Sequence, residues 1–269
     1  VTGDRFMLGL GASGPQVVEG LHGVPFARPL TRMRETIEVI RMAEAGERLS
    51  YDGEEITLPR PGGEGKAMRL ALRPDGDPLR IYLASLSPRM LELTGEVADG
   101  WLGTSFVPEG SQPSFDALAV GAARAGRTLE DLDLCQGAEV AFADDPGDLG
   151  GMVAARKPGL AFSLGGMGSA ETNFYNDAYA RQGYAEVAAE SQALWVDGRR
   201  DEAASVIPDE MVLATSLIGT EEMVGARLRA WQAVGIDQVR LYPAGSTLEE
   251  RLSTLGRALD LVADLESRP

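Results

Sequence analysis

Apolar residues fall into short runs without polar alternation, separated by stripes at helical spacing, which predicts buried strands alternating with helices in a parallel sheet. The runs are Phe6 to Leu10, Ile81 to Ala84, Trp101 to Gly103, Leu134 to Phe142 and Val239 to Tyr242, with a further candidate at Val212 to Ile218. The first strand is expected over Arg5 to Gly11 and the last over Gln238 to Tyr242. Ser87-Pro88 reads as an N-cap with proline at the first helical position, opening a helix through Met90, Leu91 and Val97. Gly219-Thr220 precedes two acids and the stripe Val224, Leu228, Trp231. Ser246 and Glu249 form a capping box ahead of Leu248, Leu252, Leu255, Leu259 and Val262.

Between the first two strands runs an excursion from Ala12 to Arg80, longer than a β/α connection needs. It carries a helix near Arg32 to Met42 with Met33, Ile37 and Ile40 inward. An Asp52-Gly53 turn between Tyr51 and Ile56 follows, then a Pro61-Gly62-Gly63 linker. The excursion reads as a lid or subdomain over the strand ends.

Composition narrows the classes. The 269 residues are 44% hydrophobic, enough for a substantial core. With 25 basic and 41 acidic residues the formal charge is −16, which argues against nucleic acid or an anionic membrane as partner. Cys135 is the single cysteine, so no intrachain disulfide forms and a reducing, cytoplasmic setting is expected. His22 is the single histidine, and no metal-ligand spacing occurs. No uncharged run is long enough to span a bilayer, and the first residues do not read as a signal peptide.

Gly9, Gly11 and Gly14 follow the first strand and leave backbone amides open to a phosphate or a flat ring. Their spacing is formally that of a dinucleotide-binding turn, but that fold needs a helix at once and a second strand nearby, whereas the next convincing strand begins at Ile81. A tight turn without ligand is the other reading. In a second cluster, Gly165-Gly166-Met167-Gly168-Ser169, Ser169 is expected to cap a helix whose amides take an anion; the alternative is a glycine connection between helices.

The stretches Arg5 to Gly11, Ser13 to Gly20 and His22 to Phe26 closely resemble luciferase-like oxidoreductases, in particular the branch that uses the deazaflavin coenzyme F-420. Ile81 to Ala84, Ala98-Asp99-Gly100-Trp101, the Gly165 to Ser169 cluster with Asn173 to Asn176, and Ile218 to Glu222 resemble later motifs in the same order. The resemblance implies a (β/α)8 TIM barrel, here one domain over 1–269 lacking the first three strands, with about 90 residues ahead of Val1 unaccounted for. It also implies an oxidoreductase that transfers hydride between F-420 and a small organic substrate. FMN is the alternative cofactor, in a monooxygenase of the same superfamily. A catalytically silent ligand-binding or assembly subunit is the reading from another class. Carried over by position, Leu10, Gly11, Ala12, Ala84, Ser85, Leu86 and Ser87 would contact the cofactor, and Thr104 would approach ring or substrate. Relatives that oxidise a sugar phosphate carry glutamate where this chain has Ala12 and a glycine pair where it has Leu86-Ser87, so that reaction is not expected.

His22 is the candidate proton donor and Glu19 a candidate site carboxylate, each set against a plain loop role. Asp99 is expected to fix a turn; Arg240 is expected to pair with an acid, the other reading being an anionic substrate group. A sheet starting in mid-barrel leaves its first and last strands short of a neighbour. A homodimer is therefore expected, with the last helix or the excursion at its interface.

Overall fold

A computed structural model describes residues 6–71 and 78–267; Arg5 and the last two residues lie outside it. The contacts divide the chain into two compact units, Val1–Trp101 with Asp116–Leu132, and Leu102–Phe115 with Asp133–Pro269.

In the first unit, β1 (Met7–Gly11) is followed by α1 (Pro15–Leu21), α2 (Pro29–Glu44), the hairpin strands β2 (Tyr51–Asp52) and β3 (Thr57–Leu58), then β4 (Arg80–Ala84), α3 (Pro88–Val97) and the start of β5 (Gly100–Gly103), whose Leu102 and Gly103 belong to the second unit. β1 pairs with β4 and β4 with β5, all parallel. One face of this sheet is closed by apolar packing: Ile81 and Leu83 meet Met33 and Ile37 of α2 and Met90 and Leu93 of α3, with Leu10 and Ala12 against them. β1 departs from the expected double cover, since Phe6 is 52% and Met7 48% exposed. Its Leu8 and Leu10 side is the more buried, and Leu10 carries the packing.

The excursion folds on itself. Glu35 turns inward from α2 and its carboxylate accepts the backbone N–H groups of Glu54, Glu55 and Ile56 at 2.7–2.9 Å, pinning the turn of the antiparallel β2–β3 hairpin. Gly53 has to be glycine, because a Cβ there would run into that carboxylate. Arg28 and Arg32 grip Glu55 at 2.6 and 2.8 Å, and the Tyr51 hydroxyl donates to Glu38. Asp99 fixes its turn as expected, accepting from Ile81 N–H and from Arg41, each at 2.7 Å.

α4 (Gln112–Arg124) begins in the second unit, and its Asp116–Arg124 part belongs to the first. There it crosses α3 backbone to backbone: a Cβ on Gly121 would enter the Glu92 carbonyl, and one on Gly95 the Leu118 carbonyl.

The second unit holds β6 (Asp133–Phe142), then α5 (Leu149–Ala154), α6 (Lys157–Ala161), α7 (Phe174–Tyr179), α8 (Ala185–Val196), α9 (Arg200–Ser205) and α10 (Asp209–Thr215). β7 (Leu217–Gly219), α11 (Glu221–Ala233), β8 (Gln238–Pro243) and α12 (Leu248–Ser267) complete it. β7 and β8 both lie parallel to β6. The strand expected from Val212 is a helix up to Thr215, because Pro208 and the acids Asp209 and Glu210 start a first turn. Met211 and Val212 are then buried with Ile207 and Leu164.

Other expectations shift for local reasons. Thr220 caps α11 through Met223 N–H as expected. The box opening α12 is Thr247 with Glu250, one residue later than Ser246 and Glu249. Leu248, Leu252 and Leu259 of the leucine stripe are exposed, and Ala258 is the buried residue of that helix. Ser169 caps no helix: its hydroxyl accepts from Glu171 and Thr172 N–H, and Asn173 caps α7. Gly165 and Gly166 make room for Trp195 and Phe162, so this cluster is a packed connection between helices. Arg240 is exposed and donates to the Gly103 carbonyl at 2.9 Å, with no carboxylate partner among the described residues.

Candidate functional site

The carboxyl ends of β1 and β4 lie side by side, with Gly11 opposite Ala84 in the parallel register. A Cβ added to Gly11 would stand 3.4 Å from the Ala84 Cβ, so the two strand ends carry nothing larger than that methyl. Beside them is a cavity of about 200 Å³ with Leu10, Gly11 and Ala12 on one wall, Val18 and Phe26 on another, and Arg32 and Thr36 of α2 as its polar groups. Arg32, Thr36 and Phe26 were not legible as site residues, since each reads as an ordinary helix or loop position in the sequence. α1 was missed too: a short helix follows Gly14 directly, with Pro15 at its first position.

Past Ala84 the chain turns into α3. Ser85 is buried, and its hydroxyl shares a hydrogen bond of 2.8 Å with Thr94, whose hydroxyl in turn bonds the Met90 carbonyl. The Ser85 carbonyl takes the Trp101 indole N–H at 3.0 Å. The Ser85 side chain is thus committed to the interior. Ser87 stands at the N-cap of α3 without a side-chain capping bond, Pro88 follows, and no acid sits in the first turn. A ten-residue helix with a positive dipole end not offset by carboxylates suits an anion. The structure therefore brings Leu10, Gly11 and Ala12 together with Ala84 and Ser85, and runs through Leu86 to Ser87 at the helix start.

His22 and Glu19 do not line the cavity. His22 is exposed and closes α1 through its backbone N–H to Val18. Glu19 accepts the Phe26 N–H at 3.1 Å and so shapes the loop that supplies the cavity wall.

Thr104 belongs to the second unit, where it follows β5 and is exposed. The next residue, Ser105, has φ 52°, a left-handed conformation uncommon outside glycine. Further on, Val107, Tyr184, Ile218 and Met223 line a cavity of about 750 Å³. Arg227 borders it, gripping the Glu109 carboxylate through two nitrogens at 2.5 and 2.8 Å and donating to the Ala214 carbonyl. That pairing holds the Glu109 carboxyl below its usual range. Burial pushes the Tyr179 phenol up to about 12 and raises the Cys135 thiol, with the Arg240 cation opposing the second shift. Among the described residues no group of histidine, cysteine or acids is placed to hold a metal, and no helix is long and apolar enough to cross a membrane.

The chain belongs to the luciferase-like monooxygenase family, which matches residues 1–238. A Mycobacterium tuberculosis protein with the provisional name of coenzyme F-420-dependent oxidoreductase is 38% identical over 258 residues, covering 93% of this chain and 73% of that protein. The 5,10-methylenetetrahydromethanopterin reductase of Methanolobus tindarius is 28% identical over 263 residues, covering 96% and 74%. Among solved structures, the coenzyme F-420-dependent tetrahydromethanopterin reductase of Methanopyrus kandleri matches with a TM-score of 0.72 at 22% identity, over 97% of this chain and 73% of that one. An F-420-dependent secondary alcohol dehydrogenase matches at 0.68 and 15%, over 96% and 70%. These structural likenesses establish the fold class, an α/β luciferase-like fold whose parallel β/α units form part of a TIM barrel.

Proposed function

We propose that this protein is an oxidoreductase that binds coenzyme F-420 at the ends of β1 and β4 and exchanges hydride with a small organic substrate. The observation that carries the reading is the junction of Gly11, which has no side chain, with Ala84, which has only a methyl, next to the start of α3, which has no side-chain cap. It offers backbone to a flat ring and helix amides with the Ser87 hydroxyl to a phosphate. The Mycobacterium tuberculosis relative named for F-420 supports the choice of cofactor. When bound, the deazaflavin supplies the hydride chemistry.

The chain's own contribution is binding, orientation and exclusion of water. Leu10, Ala12, Val18 and Phe26 give an apolar wall, and Arg32, tied to Glu55, offers its remaining donors to a polar group of the substrate or cofactor. His22, one turn beyond Val18 of the cavity wall, is the proposed proton carrier, and Glu19 holds the loop from His22 to Phe26.

Fluorescence and absorption titrations with F-420 and with FMN, joined to an oxygen-consumption assay, test the reading. F-420 binding without oxygen uptake is expected. Tight FMN binding with oxygen consumption on a reduced cofactor would instead make it a flavin monooxygenase, and failure to bind either would leave a silent subunit.

A further inference from the structure

We infer that the second unit carries an oxyanion site on the face shared by β6 and β8, where the Arg240 guanidinium and the Tyr242 phenol converge over Gly137 to take a carboxylate or phosphate group of a small ligand. The site stands within that unit and does not rest on the F-420 reading.

Gly137 lies opposite Arg240, and Glu139 opposite Tyr242, in the parallel register, so these four residues share one face of the strand pair. A Cβ built on Gly137 would stand 3.2 Å from Arg240 Nη2 and 3.3 Å from the Tyr242 hydroxyl. Both polar groups therefore reach the same space above a residue with no side chain. The guanidinium is held there: its Nη2 donates to the Gly103 carbonyl at 2.9 Å, and the side chain also bonds the Cys135 thiol. Both acceptors are neutral, so the positioned cation keeps its charge and further N–H groups for a ligand.

The acids on this face are placed elsewhere. Glu139, two residues beyond Gly137 on β6, is bonded to Arg156 at 2.8 Å. Asp133 stands four residues before Gly137, roughly 13 Å back along the strand. Arg240 thus has no carboxylate partner among the described residues, in a chain where 41 acidic residues outnumber 25 basic ones. Tyr242 is 54% exposed, and its hydroxyl has no hydrogen-bond partner among the described residues.

Gly137 is in the interior of a ten-residue strand, where glycine is disfavoured, and its backbone lies outside the left-handed region. Neither propensity nor conformation calls for glycine there. Its missing side chain lets a group approach the backbone between the two donors. A charged hydrogen bond from the guanidinium and a second from the phenol suit an oxyanion, and the planar fork matches carboxylate and phosphate alike.

Titration of the isotope-labelled full chain with inorganic phosphate, and separately with acetate, at constant ionic strength tests the site through amide chemical shifts. Saturable shifts centred on Gly137, Arg240 and Tyr242 are expected. Arg240→Gln should weaken binding at least about tenfold, and Tyr242→Phe about threefold to tenfold, since each removes a donor to the anion. Gly137→Ala keeps both donors and fills the space between them, so it too should weaken binding by about threefold or more. Tighter binding of phosphate points to a phosphorylated ligand, and tighter binding of acetate to a carboxylic acid. Absence of saturable shifts at these residues, or an affinity that survives Arg240→Gln, overturns the site. Affinity kept in both Tyr242→Phe and Gly137→Ala overturns it equally, because an exposed arginine alone then accounts for the binding. The spectrum of each variant reports whether it is folded; Tyr242→Phe, which removes only a hydroxyl, decides the matter if Gly137→Ala disturbs the strand.

Discussion

Replacing Gly11 with alanine separates what the fold needs from what a ligand needs. Gly11 is extended at the end of β1, outside the left-handed region, so its backbone does not require glycine. The new Cβ would meet the Ala84 Cβ at 3.4 Å and the Ala84 carbonyl at 3.7 Å, both ordinary contacts. With no strain to offset it, the loss of glycine's freedom in the unfolded chain should stabilise the protein by about 0.5–1 kcal/mol. For a chain of this size that corresponds to a melting temperature higher by about 1–4 °C. The same methyl stands where the ring or phosphate of F-420 has to approach, and a loss of affinity of about tenfold, or ~1.4 kcal/mol, is expected. Gly11→Val, with its larger side chain beside the 200 Å³ cavity, should weaken binding further while the fold persists. Differential scanning calorimetry with cofactor titration checks both signs. Unchanged affinity in both variants removes Gly11 from the site, and a melting temperature lowered by several degrees refutes the contact geometry at Ala84.

Gly121→Ala should destabilise by about 1–3 kcal/mol despite alanine's better helix propensity, because its Cβ enters the Glu92 carbonyl; a higher denaturation midpoint would contradict the close crossing of α3 and α4. Gln136, fully buried in β6, has no hydrogen-bond partner among the described residues for either amide atom, so Gln136→Met should stabilise by about 1–3 kcal/mol in urea titrations. Burial of Glu35 acts to raise its carboxyl pKa, but three backbone N–H bonds and Arg28 hold it below the ordinary 4.5. Its contribution is therefore full above the unfolded value and lost as pH falls through the lowered one. The difference in melting temperature between the protein and Glu35→Gln should accordingly shrink on acidification, and a difference that grows toward low pH would reverse the assignment.

What the sequence determined by itself is what is written locally. Unalternated apolar runs placed β4 and β5, because a strand covered by helices has to be apolar throughout, and apolar runs with polar interruptions marked β6 and the partly exposed β8. Thr220 and the Asp52-Gly53 turn were legible from cap and turn chemistry within a few residues. The strand-end glycines marked one wall of the candidate site. Only tertiary structure decided which polar side chains turn inward. Glu35 reads as a surface acid on α2 until the hairpin amides, about 20 residues on, supply its hydrogen bonds. Gln182 reads as a helix residue until Ser105 and Val107, more than 70 residues earlier, meet its carboxamide. Val212 reads as strand until Ile207 and Leu164 bury it within a helix. In each case the deciding partner is distant in sequence, and a buried polar or apolar group takes its energy from the neighbour it meets, which periodicity along the chain does not encode.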